Sequence, residues 1–316
     1  MPITGRLVAS IAVLLGLICL ASFFRHKGFL KDEHAGVFAK LVTHCTLPAL
    51  IFVSLAHTKI VWSQAWLALI MFVAELFALT LGWIAARVLR LDRPATGAMI
   101  LVSGFGSSSL LGYALISQVF PGNLAAMTEA VMVSEIGVGP ALFTLGTMIA
   151  IYYGRETASP DARIRAALAF FKSPIFVSVV AGLAWSTFKL PVDGPVVGTV
   201  VQALKAAGTA NTLMVTLLVG VLLKFENIRS VVVVGAAVAL NKLILKPVII
   251  WLPTSFMTFH HWEVHVLVLE AAMPSALLTV ALSRSYGCDA GLASRMVFLT
   301  TTLSVLTIPL MFGMLR

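Results

Sequence analysis

Ten stretches of this chain are apolar for about as long as a helix needs to cross a bilayer, roughly 17 to 25 residues. They run Leu7–Phe24, Val37–Ala56, Ala65–Val88, Ala95–Phe120, Ala125–Tyr153, Ala167–Phe188, Gly208–Leu223, Ser230–Trp251, Glu263–Ser283 and Gly291–Leu315. Short basic or Pro/Gly loops separate them. Pro191–Ala207, ahead of the seventh span, is apolar but interrupted, which predicts a re-entrant or interfacial piece. With 59% hydrophobic and 11% charged residues, no soluble domain of this length can hide so much apolar surface. The bilayer is the solvent. Backbone polar groups must then be satisfied within each segment, so the expected fold class is an all-α polytopic membrane protein.

The net charge of +9 does not signal nucleic acid, because the basic residues are spread along short loops. Loops after the odd-numbered spans hold Arg25, Lys27, Lys31, Arg87, Arg90, Arg93, Arg155, Arg163, Arg165, Lys172, Lys224, Arg229 and Arg284. The termini and remaining loops hold Arg6, Lys59, Lys189, Lys205 and Arg316. The positive-inside rule makes the first set cytoplasmic and puts both termini outside. The first span ends in Arg25-His26-Lys27 and reads as a retained helix rather than a cleaved leader. Cys19, Cys45 and Cys288 have neither metal nor redox spacing, nor that of a disulfide framework.

The longest loop, Gly154 to Arg165, divides the chain into a first five-span half (1–153), a linker (154–166) and a second half (167–316). An odd number of spans per half inserts the second half upside down, the inverted-repeat plan. Both fourth spans are broken: Gly104 to Gly112 reads Gly-Phe-Gly-Ser-Ser-Ser-Leu-Leu-Gly, and Ala271 to Ala276 reads Ala-Ala-Met-Pro-Ser-Ala. Both fifth spans carry a proline, Pro140 and Pro309. The second spans contain Leu47-Pro48-Ala49-Leu50-Ile51-Phe52 and Asn211-Thr212-Leu213-Met214-Val215-Thr216. Irregular backbone at membrane depth survives only inside protein or beside a wet cavity, so paired breaks point to a transporter's binding site.

The candidate substrate-binding residues are Gly106, Ser107, Ser108, Ser109, Pro274, Ser275 and Lys242. Glycine permits close backbone approach, serine adds hydroxyl donors, and a half-helix starting inside the membrane points its positive end into the cavity. Intramembrane ionisable groups are Glu75, Glu135, Lys242, Lys246 and Glu270. Lys242 and Lys246 share a helix face, and Glu75 on the repeat-related third span is placed to approach Lys242. Lys242 would supply positive potential for a carboxylate, with Glu75 and Glu270 as proton or ion coupling groups. A structural ion pair is the alternative, with Lys246 snorkelling to an interface. Glu135, near Gly137 and Gly139, reads as a helix-packing or hydrogen-bonded residue. His260, His261, Glu263 and His265 lack a further ligand at metal spacing, and an interfacial role fits them better.

Leu47-Pro48-Ala49-Leu50-Ile51-Phe52-Val53-Ser54-Leu55-Ala56 resembles the second-helix signature of the auxin efflux carrier family, which includes many bacterial permeases. Ala271 to Ala276, then Tyr286-Gly287-Cys288-Asp289 and Thr300 through Leu310, extend the resemblance over essentially the whole chain. It implies ten helices in two inverted repeats, a scaffold and a transport domain with crossing broken helices, and elevator-like transport. A bacterial inner membrane and a homodimer formed through the scaffold domain follow from the same likeness. The family's Asn-Thr-Gly and crossover Pro correspond here to Ser107, Ser108, Ser109 and Ala114, and the second Asn to Leu278. Auxin itself is therefore not carried over as substrate.

The expected function is a secondary transporter for a small organic anion, a carboxylate, in a lipid bilayer. No cofactor is expected beyond a coupling H⁺ or Na⁺. A channel or passive ligand-binding receptor is the alternative. No phosphate-cradling motif or His-Glu-x-x-His occurs, and Asp32, Asp92, Asp161, Asp193 and Asp289 all fall in loops or at span ends, which disfavours an intramembrane enzyme.

Overall fold

The computed structural model describes residues 3–31, 33–57, 62–154, 170–222, 232–254 and 256–314. Helices α1 (Ile3–His26), α2 (His34–Ala56) and α3 (Trp62–Val88) come first. Helix α4 (Arg93–Gly104) stops short, and a π-helical turn at Ser108–Gly112 leads into α5 (Tyr113–Val119). Then come α6 (Leu124–Tyr153), α7 (Pro174–Thr187), α8 (Val197–Val221) and α9 (Val232–Thr254). A second interruption parts α10 (His261–Ala271) from α11 (Leu277–Tyr286), and α12 (Ala290–Met314) follows. Among the described residues, six helices are long and apolar enough to cross a membrane, α2, α3, α6, α8, α9 and α12.

Local chemistry sets where these helices start and bend. Asp92, Asn123, Ser173 and Asp289 accept hydrogen bonds from first-turn N–H groups of α4, α6, α7 and α12, at 3.1, 3.1, 3.2 and 2.8 Å. These caps satisfy donors that have no partner within the helix. Three helices contain a wide π-helical turn just ahead of a proline: Val42–Thr46 before Pro48, Met132–Val138 before Pro140, and Leu240–Leu245 before Pro247. Proline lacks the N–H and its ring collides with the carbonyl four residues back. The chain answers by widening one turn rather than ending the helix.

The interrupted stretch expected at Pro191–Ala207 is corrected by α8. Val197–Thr209 is regular helix and runs on into Asn211–Leu222 as one span. Gly208 is a packing residue: a Cβ on it would lie 3.0 Å from the Leu50 Cα of α2. The Thr46 hydroxyl of α2 donates to Asn211 Oδ1 at 2.9 Å, tying α2 to α8. The linker from residue 155 and the basic loop Lys224–Arg229 lie outside the described residues.

Two apolar clusters form the core. One joins α1, α2, α5, α7 and α8 through residues such as Ile18, Leu47, Ile51, Leu115, Val179 and Val215. The other joins α3, α4, α9 and α11 through Met71, Leu101, Ile250 and Ala276. Helices α6, α10 and α12 contribute to both. Apolar side chains also remain on the outside, including Trp66, Val73 and Phe77 of α3 and Val177 and Val180 of α7. That pattern suits a protein whose solvent is lipid.

Candidate functional site

The two interruptions meet. After Gly104 the chain turns extended at Phe105 (φ −82°, ψ 126°), and Gly106 lies antiparallel to Ser275. Ser107 N–H donates to the Pro274 carbonyl at 2.8 Å, and Ala276 N–H to the Phe105 carbonyl at 3.0 Å. These are the donors and acceptors that broken helices would otherwise leave unpaired. Ser275 secures the crossing: its N–H donates to Thr300 Oγ1 at 3.1 Å and its hydroxyl to the Val102 carbonyl at 2.6 Å.

Both lysines of α9 converge on the negative C-terminal end of α4. Lys242 Nζ donates to the Gly104 carbonyl at 2.9 Å, and Lys246 Nζ reaches the same oxygen at 3.5 Å. Lys246 also donates to Glu75 Oε1. So the partner of Glu75 is Lys246 rather than Lys242, and Lys246 does not snorkel, being 1% exposed. Lys242 lies within the π-helical turn Leu240–Leu245, and Lys246 directly follows it. Cations at a helix C-terminus meet the partial negative charge of its last carbonyls.

Two glycines admit charged groups to the crossing. A Cβ on Gly106 would lie 2.7 Å from Lys242 Nζ, and one on Gly112 would lie 2.6 and 2.7 Å from the two oxygens of Glu270. Neither side chain could seat as it does beside alanine. Glu135 accepts hydrogen bonds from Ser109 at 2.6 Å and Tyr113 at 2.8 Å, and the Ser109 and Ser134 hydroxyls lie 2.9 Å apart.

A cavity of about 470 Å³ opens beside the crossing. Gly106 to Leu110, Ser134 and Glu135 line its polar end, along with Ala276 and the first turn of α11. Apolar residues of α2, with Ile175 of α7 and Leu218 of α8, form the facing wall. The Ser107 hydroxyl is buried at the cavity and has no hydrogen-bond partner among the described residues. The first turns of α5's leading coil and of α11 both begin here, and neither Ser107 nor Ala276 caps its helix by a side-chain bond.

Of the residues picked out from sequence, Gly106, Ser107, Ser108 and Ser109 line this cavity. Lys242 stands behind Gly106 and is fully buried. Pro274 borders a much smaller cavity on another side, with Leu14, Ile18 and Thr301, and Ser275 is buried within the crossing. Glu135 is hydrogen-bonded, one of the two readings its sequence context allowed, and it also lines the cavity. Its serine and tyrosine donors lie on other turns of the chain, which spacing alone does not reveal. Glu129 of α6 was missed: it is fully buried and neither carboxylate oxygen has a partner. The rule that flags charge inside an apolar span applies to it as much as to Glu135.

The membrane transport protein family matches residues 7–312. The chain belongs to this family, the one of the auxin efflux carriers. As a membrane transport protein it has full-length archaeal relatives. An uncharacterized transporter of Methanocaldococcus jannaschii is 25% identical over 304 residues, 95% of this chain and 96% of its own. An uncharacterized transporter of Methanothermobacter thermautotrophicus is 24% identical over 298 residues, 94% of each chain. Family and helices together make it an integral membrane transport protein.

Proposed function

We propose that this membrane transport protein is a secondary transporter for a small organic anion, a carboxylate with an apolar body, bound in the cavity at the crossing. The observation that carries the reading is the buried, unpartnered Ser107 hydroxyl at the cavity end where both interruptions meet. Helix N-termini favour negative charge, and two half-helices begin at this point. Lys242 Nζ lies directly behind Gly106, which lines the cavity and has no side chain to set between the two. The apolar wall of α2, α7 and α8 suits the remainder of the molecule.

The cavity's position supports alternating access. Its two walls come from different helices, α2, α7 and α8 on one side and the interrupted helices on the other. Sliding the crossing group past the α2–α7–α8 group would carry a bound anion through the membrane in ten crossings arranged as inverted repeats, an elevator-like movement.

Solute counterflow in proteoliposomes tests this. Wild type should exchange one of a set of labelled mono- and dicarboxylates saturably, and Lys242→Ala and Pro274→Ala should abolish or cripple that exchange. Exchange of neutral or cationic solutes only, by folded protein, would overturn the anion reading.

A further inference from the structure

Four carboxylates and one phenol lie in sequence between the start of α10 and the cavity. Glu263, in the first turn of α10, accepts the His260 N–H at 2.8 Å beside the exposed His260 and His261. Glu270 lies two helical turns further on the same face, roughly 10 Å along the axis at 1.5 Å per residue. Glu129 of α6 lies within the field of both Glu263 and Glu270. Tyr113 of α5 feels Glu270 and Glu135, and donates to Glu135 at the cavity.

Glu129 and Glu270 differ from ordinary buried carboxylates. Each is 0% exposed, and all four of their oxygens lack a hydrogen-bond partner among the described residues. The Ser108 hydroxyl is close enough to lean towards the Glu270 carboxylate, but not at ordinary hydrogen-bond geometry. A carboxylate ion without donors is among the costliest groups to bury, whereas the neutral acid forgoes only one hydrogen bond. The surroundings suit the neutral acid.

The charged and titratable groups around the pair are few. Glu270 is acted on by Glu135 of α6 and by Lys242 and Lys246 of α9. From α3 the nearby acid is Glu75, already tied to Lys246. Helix α12 carries a single charged residue, Arg295, in its second turn. Glu129 is acted on by Glu263 and Glu270. The portions of α2 and α5 near it, Leu47–Ala56 and Tyr113–Val119, bring Tyr113 as their one titratable side chain.

We propose that Glu129 and Glu270 form a proton-carrying pair, loaded from the α10 end past Glu263, whose protonation accompanies the anion through the membrane. The proton moves as H⁺ from water to a carboxylate oxygen and leaves to water on the other side, with no other bond changed. Lys242, already in the field of Glu270, is the counter-charge at hand when that proton leaves. An anion entering beside ionised Glu135 and Glu270 would be repelled, so anion and proton bind together and travel in the same direction. What the proton accompanies rests on the anion reading above; the proton site does not.

Two measurements separate these layers. Infrared difference spectra of the purified full chain, recorded across neutral pH, should show a protonated-carboxyl C=O band. That band should lose intensity in Glu129→Gln and in Glu270→Gln. In proteoliposomes with a one-unit inward proton gradient, wild type should accumulate the exchanged carboxylate about tenfold, the ratio one pH unit is worth. Glu129→Gln, which lies away from the cavity, should still show counterflow but lose the accumulation. A carboxyl band that neither variant changes, accumulation that survives Glu129→Gln, or accumulation driven by a sodium gradient would each overturn the proposal. A band lost in both variants from a protein without carboxylate counterflow would support the proton site and overturn the anion reading instead.

Discussion

Two sets of buried charge converge on the crossing and are handled in opposite ways. On α3 and α9, Glu75 and Lys246 form an ion pair, and both lysines also donate to the Gly104 carbonyl. On α6 and α10, Glu129 and Glu270 have no hydrogen-bond partner at any oxygen among the described residues. The first set is fixed by partners that hold the C-terminal end of α4. The second is left in a state that a proton can change. Sealed charge can thus serve architecture or exchange, and the presence or absence of donors separates the two uses.

The sharpest way to break this contrast is to orphan the paired set. Lys246→Ala leaves Glu75 buried without its cation and should cost about 3–5 kcal/mol of stability. Thermal unfolding in detergent should show it, and Glu75→Gln combined with Lys246→Met should recover most of the loss. A Lys246→Ala protein as stable as wild type would make the pair dispensable. Next, Gly106→Ala should displace the flexible end of Lys242 while the fold survives, because the colliding atom is an ammonium tip. Half-saturation for the exchanged anion should weaken about tenfold, roughly 1.4 kcal/mol. Unchanged half-saturation would remove Lys242 from anion binding.

Smaller effects sharpen the contrast. Ser109→Ala removes one of the hydrogen bonds that Glu135 accepts and should cost about 1 kcal/mol by unfolding. Glu129→Gln removes no hydrogen bond from a donor, so stability should stay within about 0.5 kcal/mol of wild type. A loss there as large as that of Lys246→Ala would show that Glu129 is held by partners after all.

Much of the architecture was legible because the bilayer leaves few options. Glycine, serine and proline at membrane depth, Gly104–Gly112 and Met273–Pro274, had to be buried against something, and they are buried against each other. The polar residues at Thr46 and Asn211 marked two spans that do touch. Other features depend on three-dimensional detail that periodicity does not carry. Pro191–Ala207 looked interrupted ahead of the seventh span, yet Val197–Thr209 is helix, with Lys205 exposed and Gly208 packed on Leu50. Glu75 pairs with Lys246, which directly follows a widened turn, rather than with Lys242 inside it. Glu135 became a cavity residue only when Ser109 and Tyr113 arrived from another segment.

The most direct test asks whether the anion occupies the cavity at the crossing. With Cys19, Cys45 and Cys288 replaced by serine, Ser109→Cys provides a single thiol on the cavity wall. A small thiol reagent should modify it in proteoliposomes, and the carboxylate that undergoes counterflow should slow the modification at the concentration that half-saturates exchange. Modification at an unchanged rate under saturating carboxylate would place the anion elsewhere and contradict the site.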